Sequence, residues 1–174
     1  MKIGLFYGST TCYTEMAAEK IQLKLNELFG FELVDLYNIK DNGFDHITEY
    51  DLLILGISTW DFGELQEDWE AKWQDIETLE LNNKTVALFG LGDQDGYAEW
   101  FQDALGMLHD VVVAQGASPI GYWPNSDEYD FIASKALTED QSHFVGLALD
   151  DEGQYDKSEL RISQWCEQLL TELA

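Results

Sequence analysis

Short apolar runs and amphipathic stripes alternate along the chain from one end to the other. Lys2–Tyr7 opens as an apolar run of strand length; Ala17, Ile21, Leu25 and Leu28 then recur at helical spacing and Gly30 closes them. Phe31–Leu36 reads as a second strand, and Asn38–Tyr50 is polar and only weakly patterned. Asp51–Ile57 and Lys84–Gly90 are continuous apolar runs, as parallel strands buried on both faces require. Leu65, Trp69, Trp73 and Ile76 form a helix stripe between them. Phe101, Leu105, Leu108 and Val112 form the next, with Gly116 as its C-terminal cap. Ala117–Tyr122 begins a fifth strand, Trp123–Ser142 interrupts it, and Phe144–Leu149 resumes it before a last helix marked by Ile162, Trp165, Leu169 and Leu173. Five such units with short connections predict an α/β protein, three layers deep, with a doubly wound parallel sheet between helices. No repeat or linker divides the pattern, so residues 1–174 read as one domain.

In such a sheet, ligands settle beyond the carboxyl ends of the strands at the topological switch point. Three segments leave strands at that edge. The first, Gly8–Glu15, places the hydroxyls of Ser9, Thr10, Thr11 and Thr14 where a strand turns into a helix, with no Lys or Arg between Ile3 and Thr14. A helix N-terminus presents free N–H groups and the positive end of its dipole, which suits a phosphate. An ordinary cap needs one hydroxyl, so four in so short a turn favour the phosphate over the cap. The second segment is Ser58–Glu64 and the third Gly90–Tyr97. Trp60 and Tyr97, each unremarkable as a packing residue, together suit the two faces of a flat aromatic ligand.

Composition narrows the partners. The chain has 34 acidic against 9 basic residues, a formal net charge of −25. Such a surface repels nucleic acid and anionic membranes and attracts a basic protein in a salt-dependent way. Cys12 and Cys166 lie far apart, and His46, His109 and His143 have no metal-ligand spacing, so neither a disulfide framework nor a metal centre is expected. No apolar run approaches membrane length and no signal-type segment opens the chain, so a cytoplasmic protein is expected.

The three edge segments resemble those of the flavodoxins, small carriers that hold flavin mononucleotide (FMN) non-covalently. The resemblance covers essentially the whole chain and includes T-W-D-F-G-E-L-Q-E-D-W (Thr59–Trp69), G-L-G-D-Q-D-G-Y (Gly90–Tyr97) and F-V-G-L-A-L-D (Phe144–Asp150). The interrupted fifth strand is similar to the long-chain subgroup, and S-T-T-C-Y-T and W-C-E-Q resemble bacterial flavodoxin B. The family's strand order is 2-1-3-4-5 with the flavin at the switch point, so that order and placement follow here from the resemblance alone.

The resemblance implies that Ser9, Thr10, Thr11, Cys12, Tyr13 and Thr14 bind the phosphate. Trp60 and Tyr97 would flank the isoalloxazine, with Ser58, Thr59 and Gly63 shaping the loop beside it. Leu91, Gly92 and Asp93 would border the ring, Asp93 and Gln102 would meet its pyrimidine edge, and Asp150 would lie near the ribityl chain. The Asp61–Phe62 peptide would face flavin N5 and accept the proton of a neutral semiquinone. The family usually carries Gly where this chain has Cys12. That change costs little if the position is helical, so phosphate binding is expected to survive, with the flavin shielding the thiol from alkylation. Asp61, Glu64, Glu67, Asp93, Asp95 and Asp150 would make the anionic reduced flavin less favourable and lower the second potential.

The implied function is a low-potential one-electron carrier and not an enzyme, taking electrons from a basic-surfaced NADP-dependent reductase and passing them to acceptor redox enzymes. A monomer is expected. A quinone reductase of the same fold would need a substrate pocket over the flavin, for which two covering rings leave little room. A receiver domain would need acidic residues where Gly8-Ser9-Thr10 and Ser58-Thr59-Trp60 stand, and no P-loop motif is present. For Trp123–Ser142, with Trp123, Tyr129 and Phe131 among acidic residues, a cover for the fifth strand is favoured over a docking surface.

Overall fold

The computed structural model describes residues 1–174. In chain order its elements are β1 (Ile3–Tyr7), α1 (Tyr13–Phe29), β2 (Val34–Asn38), α2 (Ile39–Asn42), β3 (Leu52–Trp60), β4 (Glu64–Leu65), α3 (Glu67–Ala71), α4 (Trp73–Glu77) and β5 (Thr85–Leu91). There follow α5 (Asp103–Ala114), β6 (Ser118–Ile120), β7 (Trp123–Pro124), β8 (His143–Phe144), β9 (Leu147–Leu149) and α6 (Tyr155–Leu173). The parallel sheet runs β2-β1-β3-β5-β6. The fifth strand is in two pieces beside β5: β6 pairs with Thr85–Ala87 and β9 with Phe89–Leu91, both parallel. Counting them as one strand, and leaving out the two-residue β4 that pairs antiparallel with the end of β3, gives the expected 2-1-3-4-5 order.

Alternation along the central strands divides the core between two layers of helix. Ile3, Leu5, Ile54, Ala87 and Phe89 pack under Ile21 and Leu25 of α1 and Ile162, Trp165 and Leu169 of α6. Phe6, Leu53, Leu55, Val86 and Leu88 face the other way, against Trp69, Ile76, Leu105, Leu108 and Val112. Both buried indoles have partners: Trp69 Nε1 donates to the Gly56 carbonyl and Trp165 Nε1 to that of Gly121, each at 2.8 Å. A buried indole N–H left unpaired would be costly.

The structure departs from the sequence pattern in four places. β2 starts later than Phe31, which is exposed, because Asn26 Oδ1 accepts from Leu33 N (2.8 Å) and Val34 N (3.0 Å) and holds the chain in a loop until then. Asn38–Tyr50 is not featureless: α2 and a 3₁₀ turn at Ile47–Glu49 bury Ile39, Phe44, Ile47 and Tyr50 at irregular spacing. In the Leu65–Ile76 stripe Leu65 falls in β4, and the rest is two short helices, broken where Lys72 N–H is shared between the Asp68 and Trp69 carbonyls at 3.2 Å. The insertion has a neck, with β7 antiparallel to β8. The chain rejoins the sheet at Gly146, where a Cβ would collide with the Leu88 carbonyl.

Within the insertion, Tyr129 and Phe131 pack on Phe101 and Phe144 with ring centroids 5.0–6.0 Å apart. Tyr129 Oη donates to the Ala148 carbonyl (2.6 Å) and accepts from Trp123 Nε1 (2.9 Å). Arg161, the single arginine of the chain, lies over the same ring at 4.3 Å. These contacts support the cover over a free docking loop.

Candidate binding cleft

The carboxyl edge of β1, β3, β5 and β9 opens into a cleft. It is lined by Thr11, Tyr13 and Thr14, by Ser58, Thr59, Trp60 and Asp61, by Leu91, Gly92, Asp93 and Tyr97, and by Asp151 and Glu152. Four of these are carboxylates and none is Lys or Arg.

The turn after β1 is built from unused donors. α1 begins without a side-chain cap, and its first intrahelical bond runs from Met16 N to the Cys12 carbonyl at 2.9 Å. None of the backbone N–H groups from Thr10 to Glu15 meets an acceptor in the protein. Ser9 Oγ is buried with no hydrogen-bond partner. An orphaned hydroxyl beside a row of free N–H groups is unfavourable unless an anion completes it. The turn is tied to the second loop through Gln66, whose Nε2 donates to Thr10 Oγ1 at 3.0 Å. Gln66 lies so close over Gly8 that a Cβ there would collide with its carbonyl oxygen. Glu15, in the first turn of α1, accepts from Tyr7 Oη at 3.3 Å. Burial and then this carboxylate push the Tyr7 phenol up to about 12.

Cys12 does not have helical dihedrals. It is left-handed, at φ 71° and ψ −7°, and its thiol is exposed. A side chain in that conformation costs about 1–2 kcal/mol where Gly would be nearly free. The low-cost premise for this substitution is therefore overturned.

The second loop is a tight hairpin in which Thr59 and Trp60 of β3 pair with Leu65 and Glu64 of β4. Its turn holds Asp61 at φ 44° and Gly63 at φ 85°. Trp60 Nε1 donates to Ser58 Oγ (2.9 Å), which fixes the indole, and Thr59 Oγ1 accepts from Ala104 N (3.0 Å), which anchors the loop on α5. Phe62 points outward, with its ring edge on Trp100 at 5.0 Å and Tyr97 at 6.4 Å. In the third loop Asp93 Oδ1 accepts from Asp95 N (3.2 Å) and Gly96 N (2.8 Å), a turn that carries Tyr97 to the rim.

Of the residues singled out from the sequence, Thr11, Tyr13, Thr14, Ser58, Thr59, Trp60, Asp61, Leu91, Gly92, Asp93 and Tyr97 come together on the cleft wall. Ser9, Thr10, Cys12, Phe62 and Gly63 stand behind or beside it in the same turns. Gln102 and Asp150 do not line it; both are fully buried. Gln102 Nε2 donates to the Gly90 (3.1 Å) and Leu149 (3.0 Å) carbonyls, stapling β5 to β9. Asp150 accepts from Gln94 N, Gln94 Nε2 and Gly153 N at 3.2, 2.7 and 2.9 Å.

Asp151 and Glu152 reach the cleft without having been singled out. They lie two and three residues past the end of β9, and that position was the available signal. Burial raises the Asp151 pKa above the ordinary carboxylate value, while its hydrogen bond from Ser158 Oγ opposes the rise. His109 is structural: its Nε2 lies 2.6 Å from Tyr122 Oη, and burial lowers its pKa.

A family model described as Flavodoxin matches residues 5–165. Flavodoxin 2 of Escherichia coli is 57% identical over 174 residues, which is 100% of this chain and 98% of that protein. A flavodoxin of Nostoc sp. is 44% identical over 171 residues, 98% of this chain and 96% of that one. The crystal structure of Fusobacterium nucleatum flavodoxin bound to flavin mononucleotide superposes with a TM-score of 0.89 at 29% identity, covering 98% of both chains.

Proposed function

The chain belongs to the flavodoxin family, electron-transfer proteins rather than enzymes, and we propose that it carries single electrons on one FMN held non-covalently in this cleft. The observation that carries the proposal is the turn after β1. Its buried, unpaired Ser9 hydroxyl and its free N–H groups from Thr10 to Glu15 fit a phosphate monoester. Bound there, FMN supplies the one-electron chemistry, and the protein supplies position and electrostatics.

Ser9, Thr10, Thr11, Cys12, Tyr13 and Thr14 hold the phosphate by hydroxyl and backbone donors, without a cation. Trp60 and Tyr97 flank the ring, Ser58, Thr59 and Gly63 shape the loop beside it, and Leu91, Gly92 and Asp93 border it. The exposed Asp61–Phe62 peptide would accept a hydrogen bond from a proton on the ring. Asp61, Asp93, Asp151 and Glu152 disfavour added negative charge in the cleft and so lower the potential at which it is gained. The net charge of −25 attracts a basic-surfaced NADP-dependent reductase, and acceptor redox enzymes take the electrons onward. The protein works as a monomer in the cytoplasm. No helix is long and apolar enough to cross a membrane.

Titrating the flavin-free protein with FMN tests the reading. Flavin fluorescence should quench to an endpoint of one FMN per chain, whereas fluorescence that stays at the free-flavin level would reject it.

A further inference from the structure

The insertion lies on the cleft's third wall as well as on the fifth strand. Its backbone is bonded along the segment that carries Tyr97. Asp130 N donates to Gln94 Oε1 at 2.7 Å, and Ile132 N and Ala133 N both donate to the Ala98 carbonyl, at 2.8 and 3.1 Å. Lys135 N donates to Asp103 Oδ1 at 2.8 Å. A second tie joins the insertion to the chain after β9, where Gln154 Nε2 donates to the Glu128 carbonyl at 2.7 Å.

Gln94 stands where these ties meet. It is 3% exposed and uses its side-chain amide in both senses, accepting from Asp130 N while Nε2 donates to Asp150 Oδ2 at 2.7 Å. Its backbone N–H donates to the same Asp150 oxygen at 3.2 Å, and Asp150 Oδ1 accepts from Gly153 N at 2.9 Å. One side chain thus joins the insertion, the loop bearing Asp93 and Tyr97, and the loop bearing Asp151 and Glu152. The amide offers a donor and an acceptor together without having to gain or lose a proton. Glutamate keeps the acceptor for Asp130 N but sets a second carboxylate against Asp150; methionine keeps the volume and loses both bonds.

We propose that the insertion braces the cleft, and that Gln94 is the positioning residue through which it acts on Tyr97, Asp151 and Glu152. This rests on the reading of the cleft as an FMN site. Flavin that engages the two loops also fixes Gln94, so the insertion tightens when the cleft fills and the cleft loosens when the tie is cut. A residue that merely filled space in the core would not couple the Asp130 amide to the flavin.

The experiment is amide hydrogen exchange at Asp130 with and without FMN, in the wild-type protein and in Gln94→Met, together with the FMN dissociation constant of each. FMN should slow exchange at Asp130 in the wild type, and Gln94→Met should abolish that slowing. Affinity should fall roughly ten-fold in the variant, the scale of a lost buried hydrogen bond with its partners left unpaired. Gln94→Glu should weaken binding too. Asp130 exchange in the wild type that ignores FMN would overturn the brace, a measurement that needs no variant to fold. Unchanged affinity in Gln94→Met, even with a lower melting temperature, would also overturn it. A wild-type protein that binds no FMN would overturn the functional reading and this one with it.

Discussion

The turn after β1 and the segment after β5 face the same cleft but are built on opposite principles. From Thr10 to Glu15 the backbone N–H groups have no acceptor, Ser9 Oγ is buried without a partner, and Cys12 is held in a left-handed conformation. Between Gln94 and Asp103 three buried polar side chains are tied inward: Gln94 on Asp150 and Asp130, Gln102 Nε2 on two strand carbonyls, Asp103 on Lys135. Gln102 Oε1 alone among their buried atoms lacks a partner. A region that binds an anion through hydrogen bonds must keep its donors free, and that costs stability when the anion is away. A region that positions a ring against a ligand gains from every internal bond it makes. The same cleft therefore needs an under-satisfied wall and an over-determined one, and substitutions on the two walls should differ in sign.

The largest effect is expected on the braced wall. Gly106 lies in α5 directly under the insertion, and a Cβ there would collide with the Lys135 carbonyl. Gly106→Ala should lower the stability of the flavin-free protein by about 1–3 kcal/mol, the usual range for overpacking, and weaken FMN binding as well. Denaturant unfolding and an FMN titration would read both. Stability within error of the wild type would mean that the insertion does not press on α5.

Ser9→Ala should act in the opposite sense on the open wall. It deletes a buried hydroxyl that the flavin-free protein leaves unpaired, so stability without flavin should hold or rise slightly. FMN affinity should fall by about 1 kcal/mol, or roughly five- to ten-fold, for the lost hydrogen bond to phosphate. A fall in flavin-free stability comparable to that of Gly106→Ala would erase the contrast between the walls.

Cys12→Gly sharpens the same contrast from the backbone. With φ at 71°, glycine should stabilise the flavin-free protein by about 1 kcal/mol, measured as a shift of the denaturation midpoint without a change in slope. No gain would show that the turn does not hold this conformation in solution.

The smallest effect is a pH dependence on the braced wall. Burial raises the pKa of Asp103 above its ordinary 3.8, partly opposed by the hydrogen bond from Lys135 N and by the Lys135 charge. A raised carboxyl pKa favours folding of the protonated form. The stability it contributes is full below pH 3.8 and is lost as pH rises through the higher folded-state value. Asn at this position can still accept from Lys135 N but cannot ionise. Asp103→Asn should match the wild type at the acid end and become the more stable of the two toward neutral pH. A difference that does not change with pH would exclude the carboxyl as its source.

Much of this contrast was legible in the residues. Continuous apolar runs announced β1, β3 and β5, because a strand covered on both faces must be apolar throughout. Hydroxyls crowded at one strand end, and the aromatic rings of Trp60 and Tyr97 at two others, gave away the cleft. What stayed hidden depends on contacts between residues distant in sequence. Gln102 and Asp150 are assigned to the site by the family resemblance alone, yet distant carbonyls and amides hold them inside the fold. The shift of β2 hangs on one Asn26 side chain, and the neck of the insertion on the short pairing of β7 with β8. The left-handed Cys12 was veiled for the opposite reason: a non-glycine residue in that conformation runs against its own preference.

A stepwise anaerobic reduction of the FMN-loaded protein, followed by visible absorption against a reference dye, addresses electron transfer itself. Two separate one-electron steps are expected, the second at a potential well below that of free FMN because the cleft is lined by Asp61, Asp93, Asp151 and Glu152 and no cation. A single two-electron step at the free-flavin potential would contradict a one-electron carrier.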